Sequence, residues 1–87
     1  MEETITELKQ LIIENILLYN IDPAEIDTNA PLVGGGLEFD SVDMLELVVL
    51  VDKKYGLRYD RTEKYIRAFH SISTLAEYIN DSKRNNN

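Results

Sequence analysis

The tetrad Asp40-Ser41-Val42-Asp43 follows the glycine run Gly34-Gly35-Gly36 closely and opens directly into a strongly patterned apolar segment. An aspartate is well suited to cap a helix N-terminus, because its carboxylate accepts one of the orphan backbone N–H groups there. Asp43, three residues on, falls in the first turn, where the helix dipole stabilises a carboxylate. Ser41 is then the first helical residue, with its hydroxyl turned outward at the junction of a flexible loop and a helix. Nothing nearby could activate that hydroxyl as a nucleophile of its own. The pattern suits a serine presented to another enzyme for covalent modification.

Other chemistry is poorly provided for. The chain has one histidine, His70, and no cysteine. That excludes a multi-histidine zinc site and a thiolate site, and it argues against a Ser-His-Asp hydrolase. The acids show no Asp-x-Asp-x-Asp-Gly spacing of the kind a calcium loop needs. His70, just before the expected cap of the last helix, reads as a packing or capping residue.

Four helices are expected to position the serine. Thr4-x-x-Glu7 reads as a capping box opening the first helix, in which Ile5, Leu8, Ile12, Ile16 and Tyr19 recur at helical spacing and Leu11 widens the stripe. That helix should end near Asn20, before Ile21-Asp22-Pro23. Residues 21–40 make a long connection, with Ile21, Ile26, Leu32 and Val33 available to pin it onto the core. The second helix spans about Ser41 to Tyr55, with Gly56 as its left-handed terminator. Asp60-Arg61-Thr62-Glu63 opens a short third helix through about Phe69. Ser71 caps a fourth, whose Ile72, Leu75, Ala76 and Ile79 turn inward. The expected fold is all-α, a small four-helix bundle with a long loop between helices 1 and 2 and a short third helix. One domain, residues 1–79, is followed by a flexible polar tail, residues 80–87.

The second helix carries more apolar residues than one buried face can use. On a helical wheel Met44, Leu47, Val48, Val51 and Tyr55 share one sector, which should face the core. Val42, Leu45 and Val49 fall nearly opposite, accompanied by Asp52 and bordered by Glu46. An apolar stripe rimmed by acids on a solvent face suggests a docking surface; the alternative is that the loop or another helix covers it.

The 87 residues carry a net charge of −7, and the two halves differ in sign. Residues 1–52 hold twelve acids and one base, Lys9, whereas residues 53–87 hold four acids and eight bases. The acidic half argues against nucleic acid, whose phosphates require cations. It favours basic protein partners steered by charge. Met1-Glu2-Glu3-Thr4 lacks a basic region and an apolar run, so no signal peptide is expected there. Apolar runs such as Val48 to Val51 are too short to span a bilayer. The expectation is a cytoplasmic, monomeric protein.

Asp40-Ser41-Val42-Asp43, followed by Leu45-Glu46-Leu47 and closed by Tyr55-Gly56-Leu57, resembles the attachment motif of acyl carrier proteins. The resemblance covers roughly Ile5 to Ile79. It implies that Ser41, next to Asp40, carries 4′-phosphopantetheine through a phosphodiester, with acyl groups held as thioesters on the arm. It also implies that the second helix is the recognition helix, with Val42, Asp43, Leu45, Glu46, Val49 and Asp52 meeting basic patches on partners. Those partners would be a phosphopantetheinyl transferase and enzymes of the ketosynthase and acyltransferase types. A hydrocarbon on the arm could fold back between helices, with Leu47, Val51, Ile66 and Ala68 as wall residues. On this reading the protein is a non-catalytic carrier serving fatty-acid or polyketide-type synthesis.

Three departures point away from housekeeping fatty-acid synthesis. Phe39 precedes Asp40 and Val42 follows Ser41, and Arg58, Arg61, Lys64 and Arg67 make the third-helix region basic. The run Ala68 to Ala76 is more similar to specialised carriers of the aryl-polyene and resorcinol-lipid type. Two alternatives remain besides a housekeeping role. One is an aminoacyl or peptidyl carrier, against which Asp40 argues. The other is a carrier-like domain that is never modified and works as an interaction subunit.

Overall fold

The computed structural model describes residues 2–18, 20–34 and 37–85, with backbone alone for residues 84 and 85. Among them are four α-helices and no strand: α1 (Glu2–Ile12), α2 (Ser41–Tyr55), α3 (Glu63–Ala68) and α4 (Ile72–Asn85). The all-α bundle with a long first crossover and a short third helix is the expected one. Tyr19, Gly35, Gly36 and the last two asparagines lie outside the described residues.

α1 begins earlier than the expected capping box. Glu2 and Glu3 occupy its first turn, where the dipole favours carboxylates. Thr4 is therefore inside the helix and is not its cap. It lies one turn from Leu8 on the same face, is buried with it, and donates its hydroxyl to Asn80 Oδ1 at 3.0 Å. After Ile12 the helix widens into a π-helical turn, Ile13–Leu17, and stops at Leu18, short of the expected Asn20. Leu18 takes the left-handed conformation (φ 59°), and its N–H closes the turn on the Ile13 carbonyl at 3.0 Å. The wider turn brings Ile16 and Leu17 against the core while Ile13 is buried beside Ile12.

The connection to α2 is held at several points. Asp22 caps a 3₁₀ turn, Pro23–Glu25, by accepting the Ala24 N–H at 3.0 Å. Ile26 and Leu32 are buried and Ile21 is half-buried, as expected of pinning residues, but Val33 is exposed. Phe39 is buried, immediately before the helix. The loop backbone finds partners at the α3–α4 corner: Ser73 N–H donates to the Thr28 carbonyl at 3.0 Å, and Leu32 N–H to the His70 carbonyl at 2.9 Å. Backbone that lies against a core needs such partners.

α2 ends as expected, with Gly56 left-handed (φ 69°) and its N–H on the Asp52 carbonyl at 2.8 Å. Leu47 and Val51 are fully buried, and Met44, Val48 and Tyr55 pack at the edge of the core. The Tyr55 hydroxyl donates to Glu7 Oε1 at 2.8 Å, joining α2 to α1. Burial and the Glu7 carboxylate push that phenol well above the ordinary tyrosine range. Thr62 caps α3, accepting the Tyr65 N–H at 3.3 Å. Ser71 caps α4 reciprocally with Thr74, whose hydroxyl also donates to the Ala68 carbonyl at 2.8 Å.

α4 runs beyond its expected end at 79, through Asn85, so residues 80–85 are not a separate tail. The segment is polar because only part of it touches the protein. Asn80 meets Thr4, and Lys83 Nζ sits 5.3 Å from the Tyr55 ring centroid.

Candidate modification site, docking face and groove

Asp40 and Asp43 close a reciprocal cap at the head of α2. Asp43 N–H donates to Asp40 Oδ1 at 2.9 Å, and Asp40 N–H donates to Asp43 Oδ2 at 3.1 Å. The role of Asp40 was legible in the sequence. The return bond from Asp40 N–H to Asp43 adds to that role, since aspartate three residues after a cap has the reach of the glutamate in a capping box. The first intrahelical bond is Met44 N–H to the Asp40 carbonyl at 3.0 Å. The N–H groups of Ser41 and Val42 therefore open ahead of the helix, with no backbone acceptor among the described residues.

Ser41 itself is exposed. Its position is fixed from behind by Phe39, which is buried and whose N–H donates to the Leu32 carbonyl at 2.7 Å. Glu38, just before it, adopts a left-handed φ of 54°, a conformation that a non-glycine residue rarely occupies. The sharp turn there lets Phe39 drop into the core while Asp40 and Ser41 stay on the surface.

The two faces of α2 divide as the wheel predicts. Val42 is 69% exposed, Leu45 65% and Val49 45%, against 0% for Leu47 and Val51. Among the described residues no other element covers the stripe. Glu46 and Asp52 are exposed beside it, and Asp43 is half-buried by its role in the cap. A contiguous apolar strip with a carboxylate rim stands on the same helix as Ser41, beginning at the next residue.

An open groove of about 890 Å³ lies between α2, α3 and the preceding loop. Its walls include Pro31, Val33, Met44, Val48, Tyr59, Tyr65, Ile66, Phe69 and His70, with Arg67 and Thr74 at the edge. Of the wall residues expected from the sequence only Ile66 belongs to it. Leu47, Val51 and Ala68 are buried in the core behind, because the groove opens on the shoulder of α2 carrying Met44 and Val48. The aromatic spacing Tyr65 to Phe69, from α3 to its C-cap, is the sequence signal for the groove. His70 is exposed at this groove, and its carbonyl anchors Leu32.

The basic residues near α3 are partly neutralised. Arg67 forms an ion pair with Glu63. Lys64 lies 6.0 Å from the Tyr78 ring centroid, and Arg61 is exposed. Among the described residues no group of histidine, aspartate and glutamate could hold a metal ion, and no helix is long and apolar enough to cross a membrane. The chain matches no protein-family model, and no curated protein is significantly similar to it.

Proposed function

We propose that the protein is an acyl carrier that bears 4′-phosphopantetheine on Ser41 and presents acyl thioesters to the enzymes of a biosynthetic pathway. The observation that carries this reading is the combination on one helix: an exposed serine at the first helical position and an uncovered apolar stripe rimmed by acids. The open N–H groups of Ser41 and Val42 suit a phosphodiester, since a helix N-terminus favours negative charge. The arm supplies the thiol that the cysteine-free chain lacks, which is the usual division of labour for a group carrier. Val42, Leu45 and Val49 would enter shallow apolar pockets on partner enzymes, while Asp40, Asp43, Glu46 and Asp52 meet lysines and arginines there. The groove beside Met44 offers the acyl chain an apolar refuge from water.

The protein acts, on this reading, as a cytoplasmic monomer that visits a phosphopantetheinyl transferase once and enzymes of the ketosynthase and acyltransferase types repeatedly. The exposed cations of α3 support a specialised pathway over housekeeping fatty-acid synthesis.

Co-expression with a broad-specificity phosphopantetheinyl transferase tests the proposal. Intact mass should show the gain of one phosphopantetheine, and Ser41→Ala should abolish it with the helical circular-dichroism signal unchanged. Modification of the Ala variant, or a wild type that several transferases leave unmodified, would remove the carrier reading.

A further inference from the structure

One buried polar atom has no use in the fold. Tyr65 is 2% exposed, and its hydroxyl has no hydrogen-bond partner among the described residues. The ring is packed among aromatic neighbours, none of which forms a hydrogen bond with that hydroxyl. Phe69 lies at 5.0 Å between centroids, and Tyr59 and Tyr78 stand edge-on at 5.7 and 5.9 Å. Buried hydroxyls almost always find a partner, and leaving one unpaired is unfavourable. A phenylalanine would fill the same space without that cost.

Tyr65 also belongs to the wall of the groove between α2 and α3. Tyr59, edge-on to the Tyr65 ring, is itself exposed and part of the same wall. Exposed side chains change rotamer within nanoseconds, so Tyr59 can turn aside for a ligand. Burial, followed by the charge of Asp52, holds the Tyr65 phenol above the ordinary tyrosine range, so at neutral pH it is a donor.

We infer that the groove receives an acyl chain bearing an oxygen along its length, a ketone or hydroxyl class, which accepts a hydrogen bond from the Tyr65 hydroxyl. This rests on the carrier reading above and narrows it to a substrate class. A saturated hydrocarbon would fill the apolar walls equally well but would leave the phenol unpaired. An oxygenated chain without that donor would have to shed water from its carbonyl with nothing in return. The pairing therefore selects between chains of equal length by one polar atom, the kind of contact that discriminates far better than an added methylene.

The test uses the intact protein loaded on Ser41 with amide analogues of pantetheine carrying octanoyl, 3-oxooctanoyl or 5-oxooctanoyl chains, the ketone carbon labelled with ¹³C. Intact mass is read first, and a failure to load overturns both the carrier reading and the inference. Once loading is established, at least one oxo chain should raise Tm above that of the octanoyl form. Its ketone resonance should move downfield, and both effects should vanish in Tyr65→Phe. The unloaded Tyr65→Phe protein should melt no lower than wild type, since the hydroxyl removed has no partner. Equal Tm for oxo and octanoyl forms of the wild type, or a lower Tm for unloaded Tyr65→Phe, overturns the inference and leaves the carrier reading standing.

Discussion

Asp40 and Asp43 each accept the other's backbone N–H, at 2.9 and 3.1 Å, and Ser41 is enclosed between them in sequence while its own side chain stays in solvent. Two carboxylates thus fix the backbone on either side of the hydroxyl without touching it. The cap orients the serine but does not activate it. That suits a residue on which a second enzyme does the chemistry.

Removing the cap should uncouple stability from modification. Asp40→Ala is expected to cost about 1 kcal/mol, the usual loss for an N-cap carboxylate. Asp40→Asn should recover most of that, because asparagine caps equally well. If the charge of Asp40 also meets a basic transferase, loading of the Asn variant stays slow while its Tm is restored. Thermal melts beside the initial rate of mass gain separate the two roles.

The division of α2 into two faces gives a paired prediction. Leu45→Ser should change stability by no more than about 0.5 kcal/mol, as for other exposed sites. Leu47→Ala should cost about 2–5 kcal/mol, as for a buried leucine. Turnover by a partner enzyme should fall for the first and, at a temperature where the protein stays folded, hold for the second. Urea unfolding and a coupled transfer assay read the two quantities.

Tyr55 should make the fold sensitive to alkali. Its folded-state pKa lies above the unfolded value of about 10, so the folded protein retains a proton that the unfolded chain releases. The associated stability is complete below pH 10 and declines as pH rises beyond it. Tyr55→Phe should flatten that alkaline decline, and at neutral pH should cost about 1 kcal/mol through the lost bond to Glu7. Tm measured from pH 7 to 11 for both proteins checks the slope and the offset together.

The opposite charges of the two halves bear on partner choice. Among the described residues Arg61 and Lys64 form no ion pair, whereas Arg67 is matched by Glu63. Arg61→Glu with Lys64→Glu should therefore raise loading by an acyltransferase adapted to uniformly acidic carriers, most clearly at low salt. Adding Arg67→Glu should bring a smaller further gain, because that charge is already balanced. A folded double variant with an unchanged rate returns housekeeping synthesis to contention.

The helices were legible in the sequence wherever a local signal decided them. Asp40, Thr62 and Ser71 cap as their types suggest, Gly56 terminates α2, and the wheel separated Leu47 from Leu45 correctly. The structure departs from the local signal where a distant partner overrides it. Thr4 resembled a cap but is drawn inside α1 by Asn80, far along the chain, and the same contact helps carry α4 past its expected end. The π-helical turn at Ile13–Leu17 has no periodic signature, because it answers the shape of the core. The groove walls differ from the expected ones because a wheel gives the direction of a side chain and not which direction is already filled. Leu47 and Val51 point inward, yet the open space lies over Met44 and Val48.

The hydrogen bond from Phe39 N–H to the Leu32 carbonyl turns the glycine-bearing stretch into a closed loop whose two ends are already fastened. Leu32 is held in turn by the His70 carbonyl, and Phe39 by its burial. Between them Val33 lines the groove and Leu37 packs at the edge of the core. With both ends fastened, the length of the stretch can vary without displacing Ser41. Lengthening such a loop costs little, about 0.6 kcal/mol for a doubling. Two extra glycines inserted after Gly34 should leave both the modification rate and the melting point nearly unchanged, whereas Phe39→Ala, which frees one fastening, should impair both. The serine takes its bearing from Phe39, a buried ring two positions ahead of it.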